Sequence, residues 1–107
     1  MIARIWRGKT RAKDYDAYTE FLKKRAIPDY KGTNGFIRLI FLRKIDGDIA
    51  YFTLITFWES IDAIKEFAGS DFERAKYYPE DKEYLLEFEE RVEHYEVFAE
   101  EEASTQG

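Results

Sequence analysis

Apolar positions along this chain switch between a spacing of two and a spacing of three to four, and each switch marks an element boundary. Residues 1–7 hold two Ile and a Trp in weak alternation, which predicts a strand. Gly8-Lys9-Thr10 predicts a break, with Thr10 as the cap of a helix. From residue 11 to 26, Tyr15, Tyr18, Leu22 and Ala26 recur at helical spacing, with Phe21 beside them. Asp14 and Asp16 come early and Lys23 and Lys24 late, which suits the helix dipole. Pro28 predicts the end of that helix, and Gly32-Thr33-Asn34-Gly35 a loop.

Residues 36–44 and 49–58 read as strands joined at Asp46-Gly47, a pair whose residues both tolerate positive φ in a tight hairpin. Both faces of these strands carry apolar residues. Ile37, Leu39 and Phe41 alternate with Phe36, Ile40 and Leu42, and Tyr51, Ile55 and Phe57 with Phe52, Leu54 and Trp58. A sheet covered on one face alternates apolar with polar. Two helices cover one face only, so the second face predicts a partner subunit. Ser60 starts another helix, with Ile61, Ile64, Phe67 and Ala68 on its buried side and Gly69 at its end. Ser70-Asp71-Phe72-Glu73 has the form of a capping box and predicts a short helix to residue 77. Pro79 holds Tyr78 out of helical geometry. Residues 80–87 read as a turn or short helix, and 88–98 as the last strand.

The expected fold class is α+β: a ferredoxin-like βαββαβ unit with a four-stranded antiparallel sheet over residues 1–98. An acidic tail at residues 99–107 is expected to be disordered. A chain of 107 residues suits one domain, and its 45% apolar content, with nine Phe and eight Tyr, supplies a core. There is no cysteine, which excludes disulfides, thiolate metal sites and a Cys nucleophile, and the cytoplasm is the expected location. Residues 1–9 hold no long apolar run, so neither a signal peptide nor a membrane span is expected there. The net charge of −5 and the scattered basic residues argue against nucleic acid; Lys23-Lys24-Arg25 reads as a solvated helix face. No Gly-rich phosphate loop, Ser-His-Asp order or CxxC motif occurs.

This order of elements resembles the dimeric α+β barrel superfamily. Thr56-Phe57-Trp58-Glu59-Ser60-Ile61-Asp62-Ala63-Ile64, followed by Ser70-Asp71 and by Tyr95-Glu96-Val97, resembles the antibiotic biosynthesis monooxygenase group over residues 1–98. The resemblance implies a homodimer forming an α+β barrel, with a small-molecule pocket in each subunit. The group includes cofactor-independent oxygenases of polyphenol and quinol-type substrates, and haem-degrading enzymes. The haem-degrading motif needs an Asn on the first strand, a Trp on the second helix and a haem-ligating His on the short third helix. No residue from 1 to 7 is Asn, Phe67 stands for the Trp and Tyr77 for the His. No cofactor is therefore expected. Two functions stay open: oxygenation of a small aromatic or quinone-like substrate without metal or flavin, or a non-catalytic module for small-ligand binding or dimerisation.

Several residues are candidates for the chemistry. His94, the one histidine, is either a general base near neutral pH or a hydrogen-bonded strand residue. Its same-face neighbour Glu96 makes two metal ligands without a third, so no metal is expected. Trp58 either stacks on an aromatic substrate or packs where strand meets helix. Trp6 shares a face with Arg4, a pair suited to a flat anionic ligand, unless Trp6 packs across the dimer. Arg38 interrupts the face of Phe36, Ile40 and Leu42 and needs a partner such as Glu93, Glu96 or a ligand anion. Tyr77 and Tyr78, ahead of Pro79, stand at the expected pocket mouth, either bonding a substrate or simply flanking a turn.

Overall fold

The first strand runs straight through the expected break. In a computed structural model, which describes residues 1–104, β1 spans Ile2–Arg11. Gly8 lies inside it because the Trp6 ring lies across it: a Cβ at residue 8 would stand 2.5 Å from Trp6 Cη2. An aromatic ring over a strand glycine covers the backbone that the missing side chain leaves bare. Thr10 is buried in the same strand and its hydroxyl donates to the Arg11 carbonyl, so it caps no helix. A 3₁₀ turn, Ala12–Asp14, comes next, without a side-chain cap.

The helix also outlasts its expected stop. α1 (Tyr15–Phe21) passes through a π-helical segment, Leu22–Ala26, into α2 (Ile27–Lys31). Pro28 offers no N–H to the carbonyl four residues back, and its ring presses on that carbonyl. The wider π turn absorbs both effects: the Ile27 N–H bonds to Leu22 O, five residues back. Tyr18, Leu22, Ala26 and Tyr30 form the buried stripe, while Lys23, Lys24 and Arg25 face solvent.

β2 (Phe36–Asp46) and β3 (Ile49–Trp58) form the expected hairpin, but the turn residues are Gly47 and Asp48. Only Gly47 takes positive φ, at 64°, so one central residue and not two needs that freedom. The antiparallel sheet runs in the order β2-β3-β1-β4. A bulge between Phe36 and Arg38 changes the alternation of β2. Phe36 pairs with Trp58 on the helix-covered face. Arg38, Ile40 and Leu42 pair with Phe57, Ile55 and Thr53 on the other face, so Arg38 does not share a face with Phe36.

α3 (Ile61–Ala68) begins as the sequence predicts: Ser60 Oγ accepts from the Ala63 N–H at 3.2 Å, and Gly69 at φ 94° ends it. The short helix expected after Ser70 does not form. Residues 69–92 make one irregular connection around a single 3₁₀ turn, Pro79–Glu83. The backbone there finds tertiary partners: Arg4 takes the carbonyls of Phe72 and Arg74, and Ala75 N–H goes to Glu90 O. β4 is correspondingly short, Glu93–Glu96 rather than 88–98. Residues 99–104 carry no regular structure, and the remainder of the expected tail, 105–107, lies outside the described residues.

The core lies between the sheet and the helices, around Trp6, Tyr18, Phe52, Leu54, Trp58 and Phe67. On the opposite face Ile40 and Leu42 are 40% and 48% exposed beside Ile55 and Phe57, and among the described residues no helix packs there. Among the described residues no helix is long and apolar enough to cross a membrane. Because Trp6 occupies the space a Cβ would need, Gly8→Ala should destabilise the fold by about 1–3 kcal/mol and alter tryptophan emission. Urea unfolding followed by fluorescence checks this.

Candidate functional site

Two neighbouring clusters sit under the helix-covered face. The first is built on Arg4, which is 2% exposed at the centre of the sheet. Its Nη1 donates to Phe72 O at 2.5 Å and lies 3.1 Å from His94 Nε2, while Nη2 donates to Arg74 O at 3.2 Å. Arg4 has no proton acceptor to offer, so Nε2 of His94 is the accepting nitrogen and the ring is neutral. Burial, and then the Arg4 charge, hold the imidazole below its ordinary pKa, against a smaller upward pull from Glu73. The pairing occupies the lone pair that a general base would use. The two carbonyl bonds commit Arg4 to the 69–92 connection rather than to a flat anion beside Trp6.

The second cluster lines a small chamber of about 10 Å³, room for roughly one water. β1 and β3 supply Trp6 and Leu54. The long helix supplies Tyr18, Leu22 and Tyr30, and the irregular connection supplies Lys76, Tyr78 and Asp81. Asp81 is 2% exposed: Oδ1 accepts from Tyr18 OH at 2.8 Å, and Oδ2 from the Tyr78 N–H at 2.7 Å. Burial raises the Asp81 carboxyl above its usual range, against the downward pull of those two bonds. Asp29 Oδ2 takes Tyr78 OH at 2.6 Å and Lys76 Nζ at 2.8 Å. Burial raises its pKa and those bonds lower it, with a net shift downward. Trp6 Nε1 is buried in this setting with no partner. A donor left bare in an interior costs about 1–3 kcal/mol, so it marks a place where a ligand atom or water belongs.

Leu22 lines this chamber and also an open groove of about 230 Å³ between the long helix and β2, floored by Ile27, Phe41 and Phe52. The π-helical segment thus forms the partition between groove and chamber.

The six residues singled out by sequence fall in different places. Trp6 and Tyr78 meet in the chamber wall, and Trp6 faces the helices, not an opposing sheet. Tyr77 packs edge-on against Trp6 at 5.9 Å and donates to Glu89 O at 2.5 Å; burial pushes its phenol up to about 12. Trp58 is fully buried, with Nε1 donating to Thr56 Oγ1 at 2.8 Å and its ring against Tyr30 and Phe67. Arg38 lies on the opposite sheet face, over the Phe57 ring and paired with Glu100 at 3.0 Å, not with Glu93 or Glu96. His94 belongs to the Arg4 cluster. Asp81, Asp29, Lys76 and Tyr30 were not found by sequence. One signal was there: Tyr78-Pro79-Glu80-Asp81 carries Pro at the first helical position and an acid at the third, the pattern of a cap.

No family model matches the sequence, and no curated protein matches it. Solved structures do. The haem degrader MhuD of Mycobacterium tuberculosis, with two haems in its active site, superposes with a TM-score of 0.64 at 19% identity, over 95% of this chain and 100% of that one. A Bacillus cereus protein bearing the name antibiotic biosynthesis monooxygenase gives 0.63 at 20% identity, over 98% of each chain. SnoaB, a cofactor-independent oxygenase from Streptomyces nogalater, gives 0.55 at 19% identity, over 94% of each. The chain therefore has the α+β, ferredoxin-like fold of this group, as the sequence resemblance implied. At such identities the likeness carries the fold and not the chemistry. The residues here do not fit a haem: Tyr77 OH is spent on a backbone carbonyl, His94 Nε2 on Arg4, and the chamber holds about one water. Among the described residues no cluster of three metal-ligating side chains occurs.

His94 carries a stability prediction with a definite sign. Its folded pKa lies below the unfolded ~6.5, so its contribution is complete above that value and is lost as pH falls through it toward the folded value. His94→Gln should flatten the loss of stability between about pH 7 and about pH 5 in urea titrations. His94→Ala should cost roughly 1–3 kcal/mol by stranding an Arg4 donor. An unchanged pH slope in the Gln variant would contradict this assignment.

Proposed function

We propose that this protein is a homodimer that binds a small aromatic or quinone-like molecule in the chamber beneath its sheet, reached from the groove past Leu22. The observation that carries the reading is a chamber walled by aromatic rings and lined by Asp81, Tyr78 and Lys76, with the Trp6 indole, its Nε1 buried and unpartnered, in the same wall. Ligand sites combine apolar walls with a few convergent polar groups in this way. The reaction we infer is cofactor-independent oxygenation, in the cytoplasm. A ring hydroxyl loses its proton and the electron-rich ring reacts with dioxygen. One oxygen atom stays on the ring as a new carbonyl, the other leaves as water, and the substrate supplies all the electrons. The protein then has to provide only positioning and a proton acceptor.

A second reading is a binding module without catalysis, favoured by the chamber's volume of about 10 Å³. Oxygen uptake with a 1,4-naphthohydroquinone probe separates the two. An oxygenase should raise uptake above the spontaneous rate and place one labelled oxygen atom in the product. Binding with no added uptake favours the module, and no binding contradicts both.

The dimer rests on the uncovered sheet face, with Ile40, Leu42, Ile55 and Phe57 as its apolar centre and Phe98 98% exposed beyond β4. Sedimentation at low micromolar concentration should show a dimer, with an interface above about 1,000 Å². Ile55→Asp should give a folded monomer. A wild-type monomer would contradict the proposal.

A further inference from the structure

We propose that Asp81 accepts the proton of a phenolic hydroxyl bound in the chamber, while Trp6 Nε1 donates to the oxygen that loses it. This rests on the chamber being the ligand site argued above. The ligand O–H bond breaks, the proton passes to an Asp81 carboxylate oxygen, and the electron pair stays on the phenolate oxygen facing the Trp6 N–H.

The choice of Asp81 rests on the bonds each neighbouring group already makes. His94 lies outside the chamber wall and its accepting nitrogen is spent on Arg4. Asp29 Oδ2 carries both a phenol and an ammonium, and its net shift downward makes it a weak base. Asp81 lines the chamber, is nearly inaccessible to solvent, and has one donor on each oxygen. A carboxylate has about four acceptor positions, so capacity remains on both atoms. Burial moves it upward, toward the range where a base is effective at neutral pH. Trp6 Nε1 supplies the complementary half: a buried donor with no partner in the same wall. Together they hold an oxygen in either protonation state, accepting its proton or stabilising its charge.

Access is the structural requirement. The chamber holds about one water, so a ring enters when Leu22, which the chamber shares with the open groove, turns aside.

The test compares 4-nitrophenol with 4-nitroanisole, which lacks the hydroxyl, by calorimetric titration of the full-length protein. Wild type should bind the phenol roughly ten-fold or more tighter, the scale of a hydrogen bond to a charged group. Asp81→Asn keeps one oxygen for the Tyr78 N–H and turns its NH2 toward Tyr18, whose hydroxyl oxygen then accepts, and it should abolish the preference for the phenol over nitroanisole. If Asp81→Asn does not fold, Tyr18→Phe decides. It frees an Asp81 oxygen, so the phenol preference should widen, and a constant or smaller preference overturns the inference. Equal wild-type affinities, or a preference that survives Asp81→Asn, overturn the role of Asp81 while the chamber stands as a ligand site. Failure of both probes to bind overturns the chamber reading and this inference with it.

Discussion

A guanidinium buried at the centre of the sheet must find its hydrogen-bond acceptors inside the protein, and the rest of this structure is arranged around that requirement. In Arg4 the two Nη atoms find them in two backbone carbonyls of the 69–92 connection and in His94 of the edge strand, while Nε is buried without a partner. Those bonds hold a connection with little regular structure against the sheet, where it supplies Lys76, Tyr78 and Asp81 to the chamber. They also explain why residues 70–77 do not form a helix. The carbonyls of Phe72 and Arg74, which helical turns would use internally, serve the cation instead. Burial lowers the Arg4 pKa, yet such a group stays charged at any ordinary pH, so the demand is constant.

The parts of the fold that were legible in the sequence are those where local chemistry and tertiary packing agree. The helix opened by Ser60 and closed by Gly69, the β3 strand, and the two-faced apolar pattern of the hairpin all belong here. The misreadings share one cause: a partner distant in sequence, or a local adjustment that sequence does not announce, outweighed the local signal. Gly8 read as a break because the Trp6 ring that covers it could not be seen. Pro28 read as a stop because a π turn relieved it. The bulge in β2 moved Arg38 to the face opposite Phe36, and a one-residue slip in alternation is invisible to period counting.

The candidate site was legible in half-measure for the same reason. Trp6 and Tyr78 stood out as aromatic residues at plausible positions, and the chamber unites them. Asp81 and Asp29 were not singled out in the sequence; only the fold brings one under Tyr18 and the other under Tyr78 and Lys76. The sole histidine attracted a catalytic reading by its ordinary pKa, while the neighbour that decides its role, Arg4, lies 90 residues away in sequence. The fold shared with oxygenases and a haem degrader does not choose among these groups. Their hydrogen bonds do.

Arg4 is the clamp that positions the chamber wall, and hydrogen–deuterium exchange of an Arg4→Leu variant tests that role most directly. An apolar residue in place of a buried ion is commonly tolerated, so the sheet should persist. The prediction is faster exchange at the Ala75, Asp81, Tyr84 and Leu85 amides, each hydrogen-bonded within the connection, with β1 and β3 amides protected as in wild type. Wild-type protection of those four amides in the variant would contradict the clamp.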